Sequence, residues 1–196
     1  MLALLTAVSI VATAAMGQTP EKKKAGTTAG KIADGYNELK WGAAPESVKS
    51  GVKGKIVYTD EKKIIRSRDG DIEYLYGFFY RETAPTKDEK GAPAAPVEGK
   101  LYYVALQFPY LSMDDVKKKF EEKYGPPTGE SLTNNQGALI WDAEKTSIIL
   151  WVDRYENNPF CRKITYVGKE IAKELTDYRK EIFSSAEIEI LKKLAP

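Results

Sequence analysis

No histidine occurs among these 196 residues, so the side chain that most often moves protons near neutral pH is missing. Imidazole-dependent serine and cysteine triads fall with it, as do most zinc, copper and nickel sites. The one cysteine, Cys161, cannot close an internal disulfide; it is either a small buried hydrophobe or a free or intermolecular thiol. Carboxylates are plentiful, but no pair is marked by an apolar pocket or a motif spacing that would assign acid–base roles. Gly125-Pro126-Pro127-Thr128-Gly129 has neither the lysine nor the spacing of a phosphate loop. Around Asp69-Gly70-Asp71 the further spaced oxygen ligands of a calcium loop are missing. These exclusions predict a chain without catalytic residues, metal or cofactor, whose chemistry is binding.

Aromatic groups are the residues equipped for that. The stretch 71–82, DIEYLYGFFYRE, read with a two-residue period, puts Ile72, Tyr74, Tyr76, Phe78 and Tyr80 on one face. That face is either the buried side of a sheet, packed against Tyr102, Val104, Leu106 and Phe108 of a neighbouring strand, or a platform of rings offered to a ligand. Trp151 and Tyr155 share a face with Ile149, and Ile148, Leu150 and Val152 share the opposite one. Both faces of the sheet therefore carry large apolar groups, and C-terminal helices, a second chain or a partner must cover what one layer leaves open. The candidate partner-binding residues are Tyr74, Tyr76, Phe78, Tyr80, Tyr102, Trp151 and Tyr155. Pro85, Lys87, Pro93 and Pro96 join them from the Pro- and Ala-rich insert at 83–100, read as either a tolerated surface excursion or a gripping loop.

The elements that must position these groups are short. Pro45 and Glu46 open a weak helix with Val48 and Val52 on one side. Strands follow at KIVYT, KKIIRSR, IEYLYGFFYRE and LYYVALQFPY, and Asp69-Gly70 predicts a type I′ hairpin between the second and third. A helix from Ser112 carries Met113, Val116, Phe120 and Tyr124 on one side and stops at Gly125-Pro126-Pro127. ALIWDAEK, TSIILWVDRY and CRKITYV supply three more strands, and a helix from about Lys169 aligns Ile171, Leu175, Tyr178 and Ile182. Ser184 with Glu187 reads as a capping box opening a last helix to Leu194.

The first seventeen residues carry no charge and end in small side chains, the length of a signal-peptide core and short of the ~20 residues of a membrane-spanning helix. Cleavage before Gln18, or after Ala14, would release a periplasmic or secreted protein. The missing Lys or Arg near Met1 points either to a mis-chosen start codon or to a buried N-terminal helix as the other reading. Thirty basic against 28 acidic residues give a net charge of +2, without the basic field that draws nucleic acid or anionic membrane, and with the short apolar run no stable membrane insertion is expected. The expected organisation is a signal peptide at 1–17, a disordered arm at 18–35 and a single α+β domain at 36–196.

PESVKSGV and MDDVKKKF stand at equivalent places in two halves with the same element order. The expected fold is thus two tandem α-β-β-β repeats, 39–110 and 111–168, sharing one antiparallel sheet, followed by C-terminal helices at 169–194. Trp41-Gly42 ahead of Pro45-Glu46-Ser47-Val48, then Phe120 to Tyr124-Gly125-Pro126, Trp141 and Ile164-Thr165-Tyr166, resemble the tandem-repeat proteins similar to the β-lactamase inhibitor protein. They also resemble the small outer-membrane assembly lipoproteins of the BamE type, although no cysteine stands near the cleavage region to be acylated. In overall make-up the chain is similar to the unlipidated sheath and coiling proteins of spirochaete periplasmic flagella. These resemblances imply a non-enzymatic envelope protein that binds other proteins, as an oligomer or assembly subunit. The alternative from another class is a carbohydrate or cell-wall binding protein using an aromatic sheet face.

Overall fold

The computed structural model describes residues 32–81 and 98–180. A short ribbon, β1 (Gly35–Tyr36) with β2 (Leu39–Lys40), precedes helix α1 (Pro45–Lys49). Strands β3 (Lys55–Thr59), β4 (Ile64–Asp69), β5 (Ile72–Phe79) and β6 (Lys100–Ser112) follow it. Helix α2 (Met113–Tyr124) is followed by β7 (Gly129–Thr133), β8 (Gln136–Asp142), β9 (Thr146–Tyr155) and β10 (Asn158–Gly168). Residues 169–180 form helix α3. The eight longer strands make one antiparallel sheet in the order β3-β4-β5-β6-β10-β9-β8-β7, so the fold is α+β. Four strands, not three, follow each helix. The strand missing from the sequence reading of the second half is β7, GESLT, where only Leu132 is a large apolar residue.

Alternation decides which side of the sheet is dry. Register aligns Ser67-Tyr74-Leu106 and Ile65-Tyr76-Val104 on one half, and Ile164-Leu150-Leu139 and Tyr166-Ile148-Trp141 on the other. All of these point to the inner face, beneath α1 and α2. Pro45 opens α1 at its first turn and Val48 is fully buried, while α2 sends Val116 and Tyr124 inward with Met113 and Phe120 beside them. One core cluster surrounds Tyr76 and Val104, the other Trp141 and Leu150, and Tyr166 packs against both. Burying side chains of this size contributes about 1.5–3 kcal/mol each, which makes the inner face the main source of stability.

The described residues begin at 32, inside the arm expected at 18–35, and the first of them are anchored to the core. Ile32 is buried in the second cluster, and the Ala33 carbonyl accepts a 2.7 Å hydrogen bond from Thr146 Oγ1, which in turn accepts one from Trp41 Nε1. Polar composition hid this anchor, because one isoleucine and one backbone carbonyl make it. The signal segment 1–17, most of the arm, the insert with Pro85, Lys87, Pro93 and Pro96, and the last helix expected from Ser184 lie outside the described residues.

The β4–β5 hairpin is displaced by one residue from its expected position. Asp69 pairs with Ile72, so Gly70 and Asp71 are the central residues, and only Gly70 has positive φ, +57°. That is the pattern of a type II′ turn, with glycine first, and not of type I′. The type I′ signature lies instead at Asn134 and Asn135, φ +51° and +61°, between β7 and β8. A Cβ at Gly70 would meet nothing within 4 Å, so the cost of Gly70→Val is conformational alone, about 1 kcal/mol. Chemical denaturation should report that loss with an unchanged m-value; an unchanged midpoint would mean that the turn tolerates a β-branched residue.

Candidate functional site

The opposite, outer face of the sheet carries three parallel rows. Nearest α3 runs Ile64-Gly77-Tyr103-Val167-Ser147, then Arg66-Leu75-Ala105-Thr165-Ile149-Ile140, then Arg68-Glu73-Gln107-Lys163-Trp151-Ala138. Helix α3 closes the end next to the first row. Ile171 is buried, Tyr178 packs on Phe79 with centroids 5.7 Å apart, and Lys100 Nζ lies 2.8 Å from Glu174.

Beyond the third row, β6, β9 and β10 outrun their neighbours and form a projecting tongue. On its outer side large apolar side chains stay in solvent, Tyr155 71 % exposed, Tyr110 67 % and, at the end of the third row, Trp151 42 %, while Leu111, paired with Cys161 on the other side, is 48 % exposed. Cations are interleaved with the rings. Lys163 Nζ stands 5.6 Å from the Trp151 ring, and the Arg162 guanidinium stands 6.0 Å from the Tyr110 ring while pairing with Asp153 at 3.3 Å. Tyr110 meets Phe160 edge-on at 4.7 Å, and Trp151 is fixed by its Nε1 donating to Thr165 Oγ1 at 2.9 Å. The Tyr110, Phe160 and Trp151 rings thus have fixed neighbours, the condition under which aromatic anchors lose least entropy on binding.

The sequence-predicted residues divide between the two faces. Trp151 and Tyr155 are in this patch. Tyr74, Tyr76 and Phe78 are not, because they are buried core residues on the inner face, with Tyr76 fully enclosed. Their row is the underside of the sheet. Tyr80 lies just past β5, half-buried under Lys62 Nζ at 5.5 Å. Tyr102 also leaves the expected row. A β-bulge at Gly77/Phe78 pairs Phe78 with Leu101 and Gly77 with Tyr103, so Tyr102 is left between them, half-buried in the groove beside α3. Sequence reasoning missed Tyr110, Phe160, Arg162 and Lys163. Their signal was strand length, since β6 reaches 13 residues where β5 has eight.

Under the inner face, Tyr36, Tyr74, Tyr76, Tyr124 and Tyr166 form a cluster, with Tyr36 and Tyr166 edge-on at 4.9 Å. Burial, reinforced by neighbouring phenols, pushes the hydroxyls of Tyr36 and Tyr166 far above the ordinary value near 10. Groups whose folded pKa is raised stabilise fully below the unfolded value and lose that contribution as pH climbs towards the folded one. The free energy of unfolding should therefore fall above pH ~10, by about 1.4 kcal/mol per pH unit for each tyrosine that stays protonated only when folded. Urea titrations between pH 8 and 11 test this, and a flat profile would show that the cluster ionises without resistance.

Cys161 is fully buried against the second core, and desolvation, with Asp153's charge second, pushes its thiol to about 12. A thiol so placed is a packing group. No Asp or Glu among the described residues is buried, and none of their acidic groups or Cys161 forms a cluster of three that could hold a metal ion. No helix among them is long and apolar enough to cross a membrane. Comparison with protein-family models, with curated proteins and with solved structures finds no match to this chain.

Proposed function

We propose that this chain is an exported, non-catalytic protein-binding module, a subunit of a periplasmic assembly of the flagellar-sheath kind, and that the tongue of β6, β9 and β10 is its docking surface. The observation that carries the reading is the concentration there of three exposed aromatic side chains, Tyr110, Trp151 and Tyr155. An aromatic centre with an Arg/Lys/Asp border has the make-up of a protein interface. The mirrored strand order, four strands after each helix, supports reading the halves as tandem units of one ancestral α-β₄ design.

Tyr155→Ser is the informative variant, because a side chain this exposed contributes little to folding. Crosslinking in the native envelope followed by recovery of the tagged chain should lose the partner about tenfold or more, while the melting curve stays within a degree or two. Equal recovery from wild type and variant would remove the tongue from the interface.

One observation favours a carbohydrate reading. A groove of about 510 Å³ beside Trp151 is lined by Gln107, Phe108, Asp153, Arg162 and Lys163, which offers a ring to stack on and polar groups to orient a sugar. Saturable quenching of tryptophan fluorescence by cell-wall oligosaccharides, abolished by Trp151→Phe with Gln107→Ala, would favour that reading over the protein interface.

A further inference from the structure

The sheet ends in two open edges, β3 and β7, and neither has a partner strand on its far side among the described residues. Each is the first strand after the helix of its half, and the two halves meet through their last strands, β6 and β10. All seven neighbouring pairs are antiparallel, so across the eight strands β3 and β7 run in opposite directions. Both are five residues long. Each turns one large apolar side chain to the inner face, where Ile56 packs on the first core and Leu132 on the second. On β3, Val57 and Tyr58 are 54 % and 53 % exposed, so apolar groups stand in solvent along an edge whose backbone is a template for another strand.

We propose that copies of this chain join edge to edge, β3 of one against β7 of the next, so that the sheet continues from molecule to molecule. Their opposite directions make the new pair antiparallel, like the other seven. With Ile56 opposite Leu132 of the next copy, Lys55 faces Thr133, Tyr58 faces Ser131 and Thr59 faces Glu130, and Val57 is passed over as it is in the pairing with β4. Every pair then sets inner against inner and outer against outer. Ile56 and Thr59 stand in the inner rows of Ser67 and Ile65, and Leu132 and Glu130 in those of Gly137 and Leu139. Ile56 against Leu132 also makes the first core of one copy continuous with the second core of the next. A pairing of β3 with another β3 would instead bring two bulges together. The contact is heterologous, so it does not close on two copies. With adjacent strands rotated by roughly 20–25°, each copy turns the next by roughly half a turn, and the product is a twisted ribbon. The inference goes beyond the docking surface, because β6, β9 and β10 belong to neither edge and every copy in the ribbon keeps its own tongue.

The test uses the full chain. An equimolar mixture of the Tyr58→Cys and Ser131→Cys variants should form a disulfide-linked dimer containing one of each under mild oxidation, because directly opposite residues bring their Cα atoms to about 4.5–5.5 Å. Neither variant alone should do so, since the remaining thiol, Cys161, is buried. The double variant should give a ladder of dimers, trimers and longer chains. Its two thiols lie seven strand intervals apart, roughly 34 Å, and cannot close within one molecule. Dimers from either single variant would overturn the proposal in favour of pairing between like edges, and no crosslink in the mixture would show that the bulge at Val57 keeps the edge closed. Independently, the weight-average mass of the wild type in sedimentation should at least double between about 5 and 500 µM. Val57→Lys should raise the concentration needed about tenfold while the melting curve stays within a degree or two, because the side chain is exposed and a lysine on an edge strand opposes pairing. A mass that stays at one chain throughout, or unchanged association of the lysine variant, would overturn the proposal. Tyr155→Ser touches neither edge, so loss of the envelope partner and loss of self-association are separate results, and either reading can fail alone.

Discussion

Replacing Trp141 with alanine is expected to cost about 3–5 kcal/mol, a third or more of the stability of an ordinary domain. The indole is fully buried in the second core, 5.4 Å from the Phe120 ring and opposite Ile148. Its Nε1 donates at 2.8 Å to the carbonyl of Gly125, the residue that ends α2 with φ +80°. Truncation thus opens a cavity, strands a carbonyl and releases the C-terminal end of the helix that covers this half. Trp141→Phe separates these contributions. It keeps most of the packing and loses the hydrogen bond, for about 1–2 kcal/mol. Guanidinium unfolding followed by far-ultraviolet circular dichroism gives both numbers. A loss below about 1 kcal/mol for the alanine variant would show that the half-core closes around the gap and that α2 does not depend on it.

Gly137→Ala should be the most damaging change of a single methyl group, on the order of 3 kcal/mol. Gly137, the second residue of β8 after the Asn134-Asn135 turn, has φ +142°, where L side chains are strained. A Cβ there would overlap the carbonyl oxygen of Ser131 on β7 and come within 3.2 Å of the Leu132 Cα. Backbone would have to move, and with it Leu132, which packs against the second core. Hydrogen exchange distinguishes two forms of the damage. Faster exchange confined to β7 and the start of β8 would mean that the edge strand peels away, and faster exchange throughout would mean global destabilisation. Native exchange at every amide would contradict the close approach of β7 to β8. The contrast with Gly70, which faces open space, is what makes the pair of substitutions informative.

Alternation made most strands legible, because a two-residue period needs only local sequence. Lys55–Thr59 and Thr146–Tyr155 are bounded by the structure as the sequence bounds them. Helix α2 was legible for the same reason, its apolar residues recurring at three and four. Two things were not. The face assignment of Tyr74 and Tyr76 could not be settled from the stretch itself, since the other face carries Leu75 and Phe79; it depends on where α1 and α2 pack, which is a tertiary fact. The site depended on comparing strand ends across the sheet. Tyr110 and Phe160 are 50 positions apart and become neighbours only through the β6–β10 register, which shifts by a bulge that no periodicity announces.

That same ladder has a kinetic meaning. Within each half, every strand pairs with the next one along the chain, so β3 to β6 and β7 to β10 are meanders whose contacts close over short loops, apart from the longer excursion before β6. Among the described strands only β6 and β10 pair without being successive, and they lie at the centre of the sheet. Loop closure makes such a pairing slow relative to hairpin formation. The expected last step of folding is then the pairing of the two meanders along β6 and β10, with Tyr166 entering between the cores. Until it happens, each half presents its longest strand as an open edge, and at high concentration the β10 of one molecule can find the β6 of another before its own.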